Sequence, residues 1–169
     1  LQLAREQRAP KQGGDTAGAT GLAPTSLPPF VTVDHALELG LKWVARTTVT
    51  RQSPTGAAIV LEIPLLAGES VITEGVRVSK GKVQVNLGAE ESEMRWESTL
   101  TQAPSIALEA PAARGDGGWA EIWIVNPGPL WHVVYSGIPP VQPAAGAARI
   151  PTFRPWPGEK VVIAITRPA

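Results

Sequence analysis

Residues 119–123 read Trp-Ala-Glu-Ile-Trp. In an extended strand, side chains alternate between two faces, so Trp119, Glu121 and Trp123 would share one of them. The two indoles would stand roughly 13 Å apart, at about 3.3 Å of rise per residue. Sugar-binding surfaces use exposed tryptophans at such separations to stack on pyranose rings. Trp119, Glu121 and Trp123 are therefore the candidate binding residues of a glycan platform. A glutamate between two tryptophans is also unusual for a buried face, which leaves Ala120, Ile122 and Ile124 as the expected core side of this strand. The competing expectation is packing. Six Trp against two Phe and one Tyr suggests that indoles fill space that phenyl rings would otherwise fill, and each buried aromatic contributes a few kcal/mol at about 25 cal/mol per Å².

Other residue types offer weaker chemistry. His35 and His132 are the only imidazoles. Asp34 beside His35 would point to the opposite face of a strand, so the pair does not make a ligand set. His132 falls in an apolar run, where a histidine is expected to be structural rather than a general base. Glu90, Glu91, Glu93 and Glu97 cluster around Trp96. Paired carboxylates can hydrolyse glycosides, but the first three fall in a polar loop and are expected to be solvated. The cluster also lacks the alternating oxygen-ligand spacing of an EF-hand calcium loop. Arg114-Gly115-Asp116 matches a short adhesive tripeptide, yet Gly and Asp are ordinary turn residues. Nucleophile elbows, phosphate loops and dinucleotide fingerprints do not occur. The expectation is a non-enzyme with no cofactor and no metal site.

Composition narrows the partners. The chain of 169 residues has 15 basic and 15 acidic residues and no Cys. Zero net charge with no basic block argues against nucleic acid and against adsorption to anionic membranes. Lack of Cys removes disulfides, thiol chemistry and thiolate zinc sites. No apolar run reaches the roughly 18–20 residues of a helical membrane span, so membrane insertion by this chain is not expected.

The elements that would position these residues read as strands. Residues 1–30 are rich in Gly, Pro, Ala and Thr without periodicity, the composition of a disordered arm or linker. Odd positions from Leu37 through Trp43 to Val49 are apolar or small and even ones largely polar, which predicts one long half-buried strand. The run at 57–66 predicts a second strand paired antiparallel to it. Val76 and Val78 face Val83, Val85 and Leu87 across a Lys80-Gly81 hairpin turn. Met94, Trp96, Ser98 and Leu100 share a face, and 105–111 is a short strand. Asn126-Pro127-Gly128-Pro129 must turn between two strands. The second of these, with Trp131, Val133 and Tyr135 on one side and Leu130, His132 and Val134 on the other, is largely apolar on both and reads as a central strand covered on both faces. A proline-rich surface excursion over 138–158 precedes a last strand at 159–168. The whole predicts an all-β, antiparallel β-sandwich over residues 31–169, immunoglobulin-like or jelly-roll-like.

Three stretches, at 61–88, 129–141 and 153–169, resemble β-rich periplasmic regions of large, uncharacterised proteobacterial envelope proteins tethered to the inner membrane. The resemblance spans most of residues 57–169 and carries no functional residue. It implies a structural or interaction domain of a multidomain envelope protein, in the periplasm or cell envelope. Its implied partners are other domains of the parent chain or other envelope proteins. The alternative reading is a carbohydrate-binding module using an exposed Trp face.

Overall fold

The computed structural model describes residues 30–112, 119–141 and 150–168. The expected arm, apart from Phe30, and the Arg114-Gly115-Asp116 loop lie outside these residues. The regular elements are all strands, most of them paired antiparallel, as the sequence predicts. In chain order they are β1 (Val31–Leu39), β2 (Trp43–Arg51), β3 (Ile59–Pro64), β4 (Glu69–Val71), β5 (Arg77–Ser79) and β6 (Lys82–Leu87). There follow β7 (Glu93–Leu100), β8 (Ser105–Glu109), β9 (Trp119–Asn126), β10 (His132–Gly137), β11 (Thr152–Phe153) and β12 (Lys160–Thr166).

A six-stranded sheet in the order β11-β9-β1-β2-β7-β4 forms one layer. Two three-stranded sheets, β10-β12-β8 and β3-β6-β5, contribute to the cores on its inner face. The core is accordingly split in two. Leu37, Leu39, Trp43 and Trp123 pack with Leu108, Val161 and Ile163 of the first small sheet. Val31, Val33, Val49 and Trp96 pack with Ile63, Val83 and Leu87 of the second. Between these clusters the long strands carry a buried polar seam of His35 and Thr47, joined by a 3.4 Å contact from Thr47 Oγ1 to His35 Nδ1.

Several expectations change. The predicted long strand is folded into the β1–β2 hairpin. Leu39 pairs with Trp43 across Gly40-Leu41-Lys42, so odd residues stay on the inner face through the turn. The alternation therefore runs on as though the chain were straight, and only Leu41, exposed at the tip, breaks it. β3 does not pair with β2; it pairs with β6 in another sheet. The Lys80-Gly81 turn is as expected: both residues have positive φ, 54° and 75°, the signature of a type I′ hairpin. The strands flanking Asn126-Pro127-Gly128-Pro129 do not pair with each other. β9 runs parallel to β1, and among the described residues β10 pairs only with β12. β10 is thus an edge strand rather than a central one. The excursion at 138–158 contains the two-residue strand β11.

Arg51, at the end of β2, is buried and has no carboxylate partner among the described residues. Its guanidinium instead donates to the backbone carbonyls of Glu91, Ala57 and Gly88 at 2.8–3.0 Å, and more weakly to Pro54 at 3.4 Å. A planar five-donor group suits such scattered carbonyls, and it ties the turn after β2 to the loop after β6.

Candidate functional site

β9 lies between β1 and the short β11, and its odd residues face inward. Trp123 is 0% exposed and Glu121 7% exposed. The Glu121–Trp123 face is therefore the core face, and Ala120, Ile122 and Ile124 face outward, the reverse of the expectation. The reason is local chemistry. One Glu121 oxygen accepts the Trp123 indole N–H and the other accepts the Trp119 indole N–H, both at 2.7 Å. His35 Nε2, from the neighbouring strand, lies 3.6 Å from the same carboxylate. Burial pushes the Glu121 carboxyl up, but His35 and the two indoles outweigh it and hold the group below its ordinary range. A buried carboxylate with both oxygens engaged is satisfied; it is a fixed acceptor, not a free base. Trp123 packs into the core and is not presented to a ligand.

Trp119, half-buried, does reach a surface. Together with Ala120 and Glu121 it forms one wall of a cleft of about 520 Å³. Residues Arg154, Pro155, Trp156 and Pro157 form another wall, and Ala110, Pro111 and Phe30 complete the lining. Phe30 and the Trp156 turn are both tied down by hydrogen bonds. Phe30 is anchored by Ser53, whose hydroxyl accepts its N–H, and by the Gln52 and Ser53 amides, which donate to its carbonyl. Trp156 starts a tight turn: the Glu159 N–H donates to the Trp156 carbonyl at 3.0 Å, with Pro157 and Gly158 between them and Gly158 at φ 84°. Proline then glycine with positive φ is the composition of a type II turn. The Glu159 carboxylate accepts the Trp156 N–H, and the Gly158 N–H reaches back to the Ala110 carbonyl. Trp156 is 76% exposed on this braced turn.

Among the described residues, the cleft also borders a strand edge without a backbone partner. The Val125 N–H donates to the Pro151 carbonyl, and Trp123 pairs with Phe153. In an antiparallel ladder such bonded positions recur every second residue, so the same register would set Glu121 opposite Pro155 and Trp119 opposite Pro157. Neither proline has an N–H to give, and β11 ends at Phe153. Among the described residues, the edge-facing amides and carbonyls of Trp119 and Glu121 have no backbone partner on this side.

The remaining candidates are dispersed. His132 is exposed on edge strand β10, whereas Glu97 sits on β7 of the six-stranded sheet in an ion pair with Arg46. One Glu91 oxygen accepts the Gly88 N–H. Trp131 donates its indole N–H to the Gly40 carbonyl and meets Trp43 edge-to-face, which makes it a cover for the β1–β2 turn. Among the described residues, no three His, Asp or Glu side chains converge to hold a metal ion, and no helix is long and apolar enough to cross a membrane. Trp156, Arg154 and Phe30 escaped the sequence reading. A signal existed in Phe-Arg-Pro-Trp-Pro-Gly at 153–158: a tryptophan flanked by prolines cannot sit inside a strand ladder, so it belongs to a turn. Neither a protein-family model nor a curated protein matches this chain.

Proposed function

We propose that this chain is a non-catalytic interaction domain of a bacterial envelope protein, acting in the periplasm or cell envelope, and that it meets its partner at the Trp156 cleft. The observation that carries this reading is an exposed indole on a braced turn facing a second, half-buried indole across an apolar cleft. Large aromatics beside a concavity are the side chains on which binding free energy concentrates once a partner buries them. Against catalysis stands the nearest carboxylate, Glu121, whose oxygens are both taken. The envelope setting is supported by the resemblance of residues 57–169.

A glycan is the second reading, favoured by the same two indoles. It is a different platform from the Trp119, Glu121 and Trp123 face, because Trp123 is enclosed. The test is titration of the folded chain with bacterial oligosaccharides and with extended peptides, followed by Trp fluorescence and amide shifts. Trp156→Ala is expected to weaken binding at least tenfold while leaving the melting temperature in place. Equal binding by the variant, or shifts that map away from the cleft, would overturn the proposal.

A further inference from the structure

Resting on the cleft reading, we infer that its occupant is an extended peptide that adds to the open edge of β9 as a short strand. The edge supplies the recognition. By the alternation of β9, Trp119 and Glu121 each turn an amide N–H and a carbonyl to the side where β11 ends, and the prolines that its register would set there have no N–H to answer the carbonyls. Backbone groups left in this way are a template for another strand. A glycan would use the rings and leave this ladder idle, whereas a peptide in extended form uses both.

The walls set which side chains fit. A peptide residue opposite Glu121 in the ladder points to the inner face of the sheet, as Glu121 does. There it meets Trp119, Ala110 and Pro111 beside the Glu121 carboxylate, whose two oxygens are already engaged by indole N–H groups, so an apolar side chain fits. Its neighbours in the peptide point outward, on the side of Arg154. Arg154 follows the buried Phe153, is exposed, and its positive charge acts on Asp34 of the outer face. No carboxylate lies within ion-pair distance of Arg154 among the described residues. The matching partner therefore alternates apolar residues with acidic ones, over the few residues that the Trp119–Glu121 edge can pair. Pro155 and Pro157 keep the chain's own continuation from closing this edge, and so hold the position available.

The probe is an acetylated octapeptide of alternating valine and glutamate, with two companions: one N-methylated at every valine, one with lysine in place of glutamate. The full chain is titrated with each, and amide hydrogen exchange is read residue by residue. The expected result is slowed exchange at the Trp119 and Glu121 amides. Binding should fall at least tenfold on N-methylation, which removes the ladder donors, and at least threefold with lysine. Arg154→Gln should narrow the difference between glutamate and lysine peptides. Binding without protection of those two amides, or binding indifferent to N-methylation, overturns strand addition. Should an oligosaccharide bind through Trp156 with those amides unprotected, the cleft reading stands and the peptide inference falls. If Trp156→Ala alters no binding of any kind, both fall together.

Discussion

Glu121→Gln is the sharpest test of the buried cluster on β9. The carboxylate accepts two indole N–H bonds at 2.7 Å, one from the fully buried Trp123. An amide can keep one acceptor oxygen but must aim its NH₂ at the other indole, donor against donor. An orphaned buried donor costs about 1–3 kcal/mol, and hydrogen bonds to charged groups contribute roughly 1.5–3 kcal/mol each. The net loss at pH 7 is therefore about 2–4 kcal/mol, which corresponds to a melting-temperature drop of roughly 5–15 °C for a domain of this size. The pH dependence supplies a second check. The folded-state value of Glu121 is depressed below the ordinary 4.5, so its contribution is fully present above that value. It is lost as pH falls through the lower folded-state value. Asp34, whose carboxyl burial pushes up, has the opposite sign but is common to both proteins and cancels in the difference. Urea unfolding followed by Trp fluorescence at pH 7 and pH 3 should thus show a gap between wild type and variant that shrinks on acidification. A gap under about 0.5 kcal/mol at pH 7, or one unchanged at pH 3, would refute the role assigned to the carboxylate.

Three further outcomes follow from the geometry. Arg51→Lys replaces a fork reaching three well-placed carbonyls with a point charge; a loss of about 2–3 kcal/mol in urea unfolding is expected, with the m-value unchanged. Gly137→Ala should cost about 3 kcal/mol or more, because φ is 117° and a Cβ would overlap the Lys160 backbone carbonyl across the β10–β12 pair; a soluble variant with wild-type melting would contradict this. Trp156→Ala should shift stability by less than about 0.5 kcal/mol, since the indole is largely in water, and calorimetry gives the answer directly.

Strand alternation made most elements readable, but alternation fixes only which residues share a face. It does not say which face is covered. On β9 hydropathy pointed to Ala120, Ile122 and Ile124, and the fold buries the Glu121 side instead. That choice depends on His35, which β1 brings alongside by parallel pairing, and parallel pairing of segments so far apart leaves no local mark in the sequence. The β1–β2 turn escaped for a different reason: pairing Leu39 with Trp43 preserves parity, so periodicity passes through the bend unbroken. The cleft lay between these cases. Its indole and its prolines are adjacent in the sequence, and the pattern excludes a strand by chemistry alone. What the residues could not show is that the β9–β11 pairing stops at Phe153, just before Pro155 and Pro157. Among the described residues, the same two prolines that present Trp156 thus leave β9 without a backbone partner beside it, and the exposed ring and the unpaired edge share one local cause.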